Sequence, residues 1–177
     1  KRLDSHSSGS GGGGGGGFAV AIDQSGSVWG VFRQNGNFSI SKSNPSGVFV
    51  SSTALPNVRE DGHIRIVFDG LGSAYVVGSA ASSNSTGNDL AVYKVSTDTV
   101  VLLASATYSN NTYNLNEIPF AASTDTAGNI WIAGIIQTGG TVDFNGNVTL
   151  ASALWKVDMS PFPGVLSQPT TIYHGAG

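Results

Sequence analysis

Beyond Phe18 the apolar residues fall in short runs rich in β-branched and aromatic side chains, separated by glycine, asparagine, serine and aspartate. No stretch holds an apolar 3.6-residue period long enough for a useful helix. The pattern predicts strands at FAVAID from Phe18, SVWGVF from Ser27, GVFVSS from Gly47, IRIVFD from Ile64, SAYVVG from Ser73, LAVYKV from Leu90, TVVLLASATY from Thr99, NIWIAG from Asn129 and ALWKVD from Ala153. The expected fold class is all-β.

The runs repeat. DQSGSVWGV from Asp23, DGLGSAYVVG from Asp69 and DTAGNIWIAG from Asp125 share one pattern: Asp, two variable residues, Gly, one residue, an apolar residue, then an aromatic. Their starts lie roughly 50 residues apart, near the length of a four-stranded propeller blade. Each copy follows an apolar strand (FAVAI, IRIVF, IPFAAST) and precedes another with an aromatic at its centre (GVFVSS, LAVYKV, ALWKVD). This alignment sets Trp29, Tyr75 and Trp131 at one repeat position and Phe49, Tyr93 and Trp155 at a second. Copies one and three also carry Asn-Gly between alternating residues, at Asn35-Gly36 and Asn145-Gly146, which signals a two-residue hairpin.

IPFAASTDTAGNIWIAG followed by GTVDFNGNVTLASALWKVD resembles the bacterial-type β-propeller repeat family, whose blades run Asp-x-x-Gly-Asn-x-Tyr/Trp-Val-x-Gly and then Asp-Ala-Phe-Val-x-Lys-Leu/Val-Asp. NDLAVYKVS in the middle copy is similar to the second element, with Asp89, Tyr93 and Lys94 in matching places. The likeness runs from about Phe18 to the C-terminus, and in copy one GVFVSS lacks the acidic and lysine positions. The resemblance implies a β-propeller-like domain over 18–177, with three four-stranded blade repeats at about 18–60, 61–117 and 118–177. It implies a fold and no reaction, because propellers host enzymes, lectins and assembly modules alike. Three blades fall short of the four to eight that usually close a propeller, so the ring is expected to be incomplete, or completed by other copies or by further blades of a larger protein.

Ahead of this domain, residues 1–17 form a Gly/Ser-rich arm whose glycines Gly11, Gly12, Gly13, Gly14, Gly15, Gly16 and Gly17 read as a flexible linker. Held against neighbouring backbone, the same run becomes an assembly arm, packed on its own domain or on another copy. The chain opens KRLDSHSSGS without methionine, which suggests a mature or trimmed product.

Candidate chemistry is sparse. Asp23, Asp69 and Asp125 read as first residues of turns that bind their own backbone, with Gly26, Gly72 and Gly128 three positions on, rather than as acids or metal ligands. The repeat aromatics sit among apolar neighbours, so packing is favoured over sugar stacking. The densest polar constellation, REDGHIR from Arg59 to Arg65, reads as a charged turn, and Glu60 and Glu117 do not suggest a glycosidase pair. His6, His63 and His174 accompany no Gly-x-Ser-x-Gly elbow, so no catalytic set, metal site or cofactor is expected and the chain is read as a non-enzyme. Asn37, Asn84, Asn110 and Asn147 each fit the N-glycan acceptor pattern. Asn37 and Asn147 share one hairpin position; Asn84 and Asn110 lie in polar, loop-like stretches.

Composition narrows the partners. Charged residues make up 11% with a net charge of −3, which leaves no basic stripe for nucleic acid. Apolar runs such as Val100 to Ala104 and Ile130 to Ile136 are far shorter than the roughly 18 residues a membrane helix needs. Abundant Gly, Ser, Thr and Asn lean toward an extracellular setting. The resulting expectation is a secreted structural or assembly module that joins copies of itself or further blades, as in a glycosylated surface filament. The alternative is a carbohydrate-binding, lectin-like propeller with glycans as partners.

Overall fold

The computed structural model describes residues 16–59, 63–81, 87–109, 116–137, 150–157 and 170–173. Among them there is no helix. Twelve strands form three antiparallel, four-stranded sheets, two of them in simple chain order and the third in the reverse listing of that order.

The first sheet contains β1 (Gly16–Ile22), β2 (Val28–Gln34), β3 (Asn37–Ser43) and β4 (Phe49–Leu55). The second contains β5 (Arg65–Phe68), β6 (Ser73–Ala81), β7 (Asn88–Ser96) and β8 (Leu102–Tyr108). The third contains β9 (Glu117–Thr124), β10 (Ile130–Gln137), β11 (Leu150–Val157) and the short β12 (Thr170–Tyr173). β1 begins at Gly16, ahead of Phe18, because Gly16 and Gly17 pair with Arg33 and Phe32. Two glycines of the arm are therefore sheet backbone, whereas Gly11 to Gly15 lie outside the described residues.

Local chemistry explains the hairpins. The β2–β3 connection needs two successive residues at positive φ, and Asn35 (52°) and Gly36 (81°) supply them. The Asn145-Gly146 hairpin expected in the third copy lies outside the described residues.

Packing is between sheets. One core joins Trp29, Val31, Phe38, Ile40 and Leu55 of the first sheet to Ala74, Val76, Ala91, Tyr93 and Val95 of the second. The other joins Tyr75, Val77, Leu90 and Val92 of the second sheet to Ile130, Ile132, Ala153, Trp155 and Val157 of the third. Strand period two explains why alternate residues of β6 and β7 divide between the cores, so the second sheet is buried on both faces. The first and third sheets each keep one outer face without a cover among the described residues.

The register corrects the alignment of the first copy. Trp29 pairs with Lys42, Tyr75 with Lys94 and Trp131 with Lys156, so Lys42 on β3 fills the lysine position that GVFVSS lacks. The residue before each lysine is then Ser41, Tyr93 or Trp155. Phe49 instead starts β4 and is 62% exposed.

Candidate functional site

Each sheet carries the same three-residue arrangement at its first turn. Asp23 Oδ1 accepts from the backbone N–H of Ser25 and Ser27, both at 2.9 Å. Asp69 does the same with Leu71 and Ser73 at 2.7 and 3.0 Å, and Asp125 with Ala127 and Asn129 at 3.0 and 2.9 Å. The glycine three positions on has φ of 81° at Gly26, 103° at Gly72 and 82° at Gly128, a conformation that β-carbons disfavour. These aspartates thus bind their own turns. A fourth turn of this design, between β3 and β4, uses asparagine: Asn44 Oδ1 accepts from Ser46 and Val48 at 3.0 and 2.9 Å, with Gly47 at 81°. Its signal, Asn-Pro-Ser-Gly, is the same Asx-x-x-Gly spacing.

The second carboxylate oxygen reaches the repeat aromatic. Trp29 Nε1 donates to Asp23 Oδ2 at 2.9 Å, Tyr75 Oη to Asp69 Oδ2 at 3.4 Å, and Trp131 Nε1 to Asp125 Oδ2 at 3.0 Å. The cross-strand lysine lies over each ring, its Nζ 5.2, 5.8 and 5.7 Å from the centroids of Trp29, Tyr75 and Trp131. Lys42 Nζ also approaches Asp23 Oδ2 at 3.9 Å and donates to the Thr97 carbonyl at 2.7 Å, linking the first sheet to the second.

Burial separates the three copies. Trp29 and Tyr75 are fully buried, one facing the second sheet and the other the third. Trp131 lies between Ile130 and Ile132, which face the second sheet, so its ring is on the outer face of the third sheet and only partly covered. The expectation that all three rings are core therefore fails for Trp131, because no sheet follows it among the described residues.

The electrostatics follow from these bonds. Hydrogen bonds from Trp131 and Asn129 hold the Asp125 carboxyl down at about 2. At Asp23 burial pushes upward, but bonds from Ser25, Trp29 and Ser27 together prevail and lower it. Tyr75 is raised far above its ordinary value by burial and by the neighbouring Asp69 charge, and burial pushes Tyr93 up to about 12 while its hydroxyl donates to the Pro56 carbonyl at 2.7 Å. Because Asp125 is lowered on folding, its contribution to stability is present above the ordinary carboxylate value and is lost as pH falls through about 2. The indole N–H resonance of Trp131 should accordingly move with a midpoint near 2. A midpoint near 3.8, the unperturbed carboxyl value, would contradict the bond.

A groove of about 210 Å³ opens where the first turns of sheets one and two meet, lined by Asp23, Ser25, Lys42, Phe68, Thr97 and Asp98 among others. Its one lysine is already committed to Thr97 and Asp23. No group of three or more metal-binding side chains occurs among the described residues. His63 packs edge-on against Phe120 at 4.8 Å, whereas Glu60 and Asp61 lie outside the described residues; Glu117 is fully buried beside Tyr108, whose hydroxyl is raised by burial and by that carboxylate.

Of the candidate glycan acceptors, Asn37 is exposed at the start of β3. Asn84, Asn110 and Asn147 lie outside the described residues. No helix of the described residues is long and apolar enough to cross a membrane. Compared with known proteins, the chain matches no family model and no curated relative.

Proposed function

We propose that this chain is a non-enzymatic assembly module of β-propeller-like blades, acting outside the cell, whose two terminal sheets are covered by further sheets of the same kind. One observation carries the reading: the Asp125–Trp131–Lys156 arrangement on the uncovered face repeats the ones that lie inside the two sheet–sheet cores. At those inner positions the aromatic is fully buried, so the third copy presents a ready-made joining face. Head-to-tail joining of such faces gives a ring if the rotation closes and a filament if it does not. Sedimentation velocity over a hundredfold concentration range is expected to give a mass above one chain. A single-chain mass throughout would contradict the proposal.

Carbohydrate binding is the second reading. It is favoured by the same Trp131, whose partly covered ring beside the Asp125 carboxylate offers apolar stacking next to a hydrogen-bond acceptor. Glycan-array binding lost in Trp131→Ala but retained in Ala133→Arg would move the assignment to this reading. Glycan occupancy at Asn37 would add mass to the protein recovered from a glycosylating secretory host, and Asn37→Gln would remove it.

A further inference from the structure

We infer that the outer face of the first sheet receives the Trp131 face of a second copy of this chain, and that two copies joined twice in this way close a ring of six sheets. The inference rests on the assembly reading above and adds the partner and the register.

Cross-strand pairing identifies equivalent positions on the sheets. Val20 pairs with Gly30 as Ile66 pairs with Val76, and Ile22 pairs with Val28 as Phe68 pairs with Ala74. Ile66 and Phe68 pack against the first sheet, where the Phe68 ring meets Trp29 at 6.0 Å and 64°. Val20 and Ile22 hold the same places for a sheet preceding the first, yet are 69% and 66% exposed. Among the described residues no aromatic of a neighbouring sheet meets them; the half-exposed Phe32 of the same face lies over Gly30, the partner of Val20.

Apart from the Phe32 ring over Gly30, the floor of this face is low. Ser39, Ser41 and Ser43 stand where the second sheet has Ala91, Tyr93 and Val95 and the third has Ala153, Trp155 and Val157. Exposed Phe49 pairs with Ser43 and rises at the β4 edge, opposite Ile22 on β1. Once the exposed Phe32 ring turns aside, the small residues between apolar edges accommodate a projecting ring such as Trp131. Lys156 does not oppose burial there, because Lys42 and Lys94 occupy the same cross-strand position over the two buried rings.

Continuity with the existing cores selects the occupant. The giving face and the receiving face lie at the two ends of the row of three described sheets, so a second copy supplies both missing halves through two identical heterologous contacts. Two copies make six sheets, within the usual range of four to eight; three copies make nine, beyond it. In the two-copy ring no face of the described sheets is left uncovered.

Light scattering on the separated protein tests this with Val20→Arg and Ala133→Arg, two exposed positions on opposite outer faces, each checked for an unchanged β-sheet circular dichroism spectrum. The wild-type chain should have a two-copy mass and each variant alone a one-copy mass. Mixed at high concentration, the variants should recover a two-copy mass, because each retains the face the other has lost. A one-copy wild type would overturn both this inference and the assembly reading. A wild-type mass that keeps growing with concentration would overturn the ring while leaving end-to-end assembly in place. Variants that stay single when mixed, or a Val20→Arg that still pairs with itself, would overturn the match between these two faces.

Discussion

Trp155→Ala is expected to lower the free energy of unfolding by about 3–5 kcal/mol, the usual cost of deleting a large buried aromatic. Trp155 is fully buried in the core between the second and third sheets, with Tyr108 edge-on at 6.2 Å and 63°. Its removal leaves a cavity walled by β-strands whose backbone is fixed by the ladders on both sides, so collapse is restricted. Urea unfolding of the two proteins measures the difference. Phenylalanine substitutions then separate volume from hydrogen bonding. Trp155 Nε1 makes no hydrogen bond among the described residues, whereas Trp29 Nε1 donates to the Asp23 carboxylate at 2.9 Å. Trp29→Phe should therefore cost more than Trp155→Phe by about 1.5–3 kcal/mol, the range for a hydrogen bond to a charged group. Equal costs would show that the indole–carboxylate bond adds nothing to packing.

The turn and the aromatic were legible as Asp-x-x-Gly-x-apolar-aromatic because all of its parts lie within one hairpin, at fixed spacing. Asp23, Asp69 and Asp125 bind their turns as that pattern implies. The lysine was not legible in the first copy, because its distance along the chain depends on the hairpin between the second and third strands. That hairpin is Asn35-Gly36 in the first sheet, whereas the connections from Ala81 to Asn88 and from Gln137 to Leu150 are longer. Spacing along the sequence thus aligned Phe49 with Tyr93, while cross-strand register aligns Lys42 with Lys94. Which face an aromatic occupies was also hidden. Trp29 and Trp131 have nearly the same local sequence, and what differs is that a sheet follows Trp29 whereas none follows Trp131 among the described residues, leaving the one buried and the other partly covered.

Directionality follows from the same register. Trp29 and Tyr75 each point toward the sheet that follows in the chain, and the face of that sheet which meets them carries side chains such as Val76 and Ile132. The two faces left uncovered among the described residues consequently differ in kind. Two giving faces would set Trp131 against Trp131, and two receiving faces would set serine floors together, so head-to-tail contact is the arrangement that repeats the internal cores.

Gly134→Ala is expected to destabilise the third sheet by about 3 kcal/mol or more, at the upper end for overpacking a fixed core. Gly134 lies at a bulge where β10 pairs with β9, opposite Pro119. A β-carbon there would overlap the Ile118 carbonyl oxygen and come within 2.9 Å of Pro119 Cα, both backbone atoms that cannot swing aside. Proline adds to the constraint, since its ring fixes φ and no rotation of that residue opens the gap. Gly30→Ala is the informative contrast: the atoms met there belong to the Phe32 ring, which is 47% exposed and free to turn outward. Thermal unfolding should show a large loss for Gly134→Ala and a loss of about 1 kcal/mol or less for Gly30→Ala, since a Gly in a strand interior is itself unfavourable. If the two substitutions cost the same, the close approach of β9 to β10 at Gly134 is not what holds this bulge.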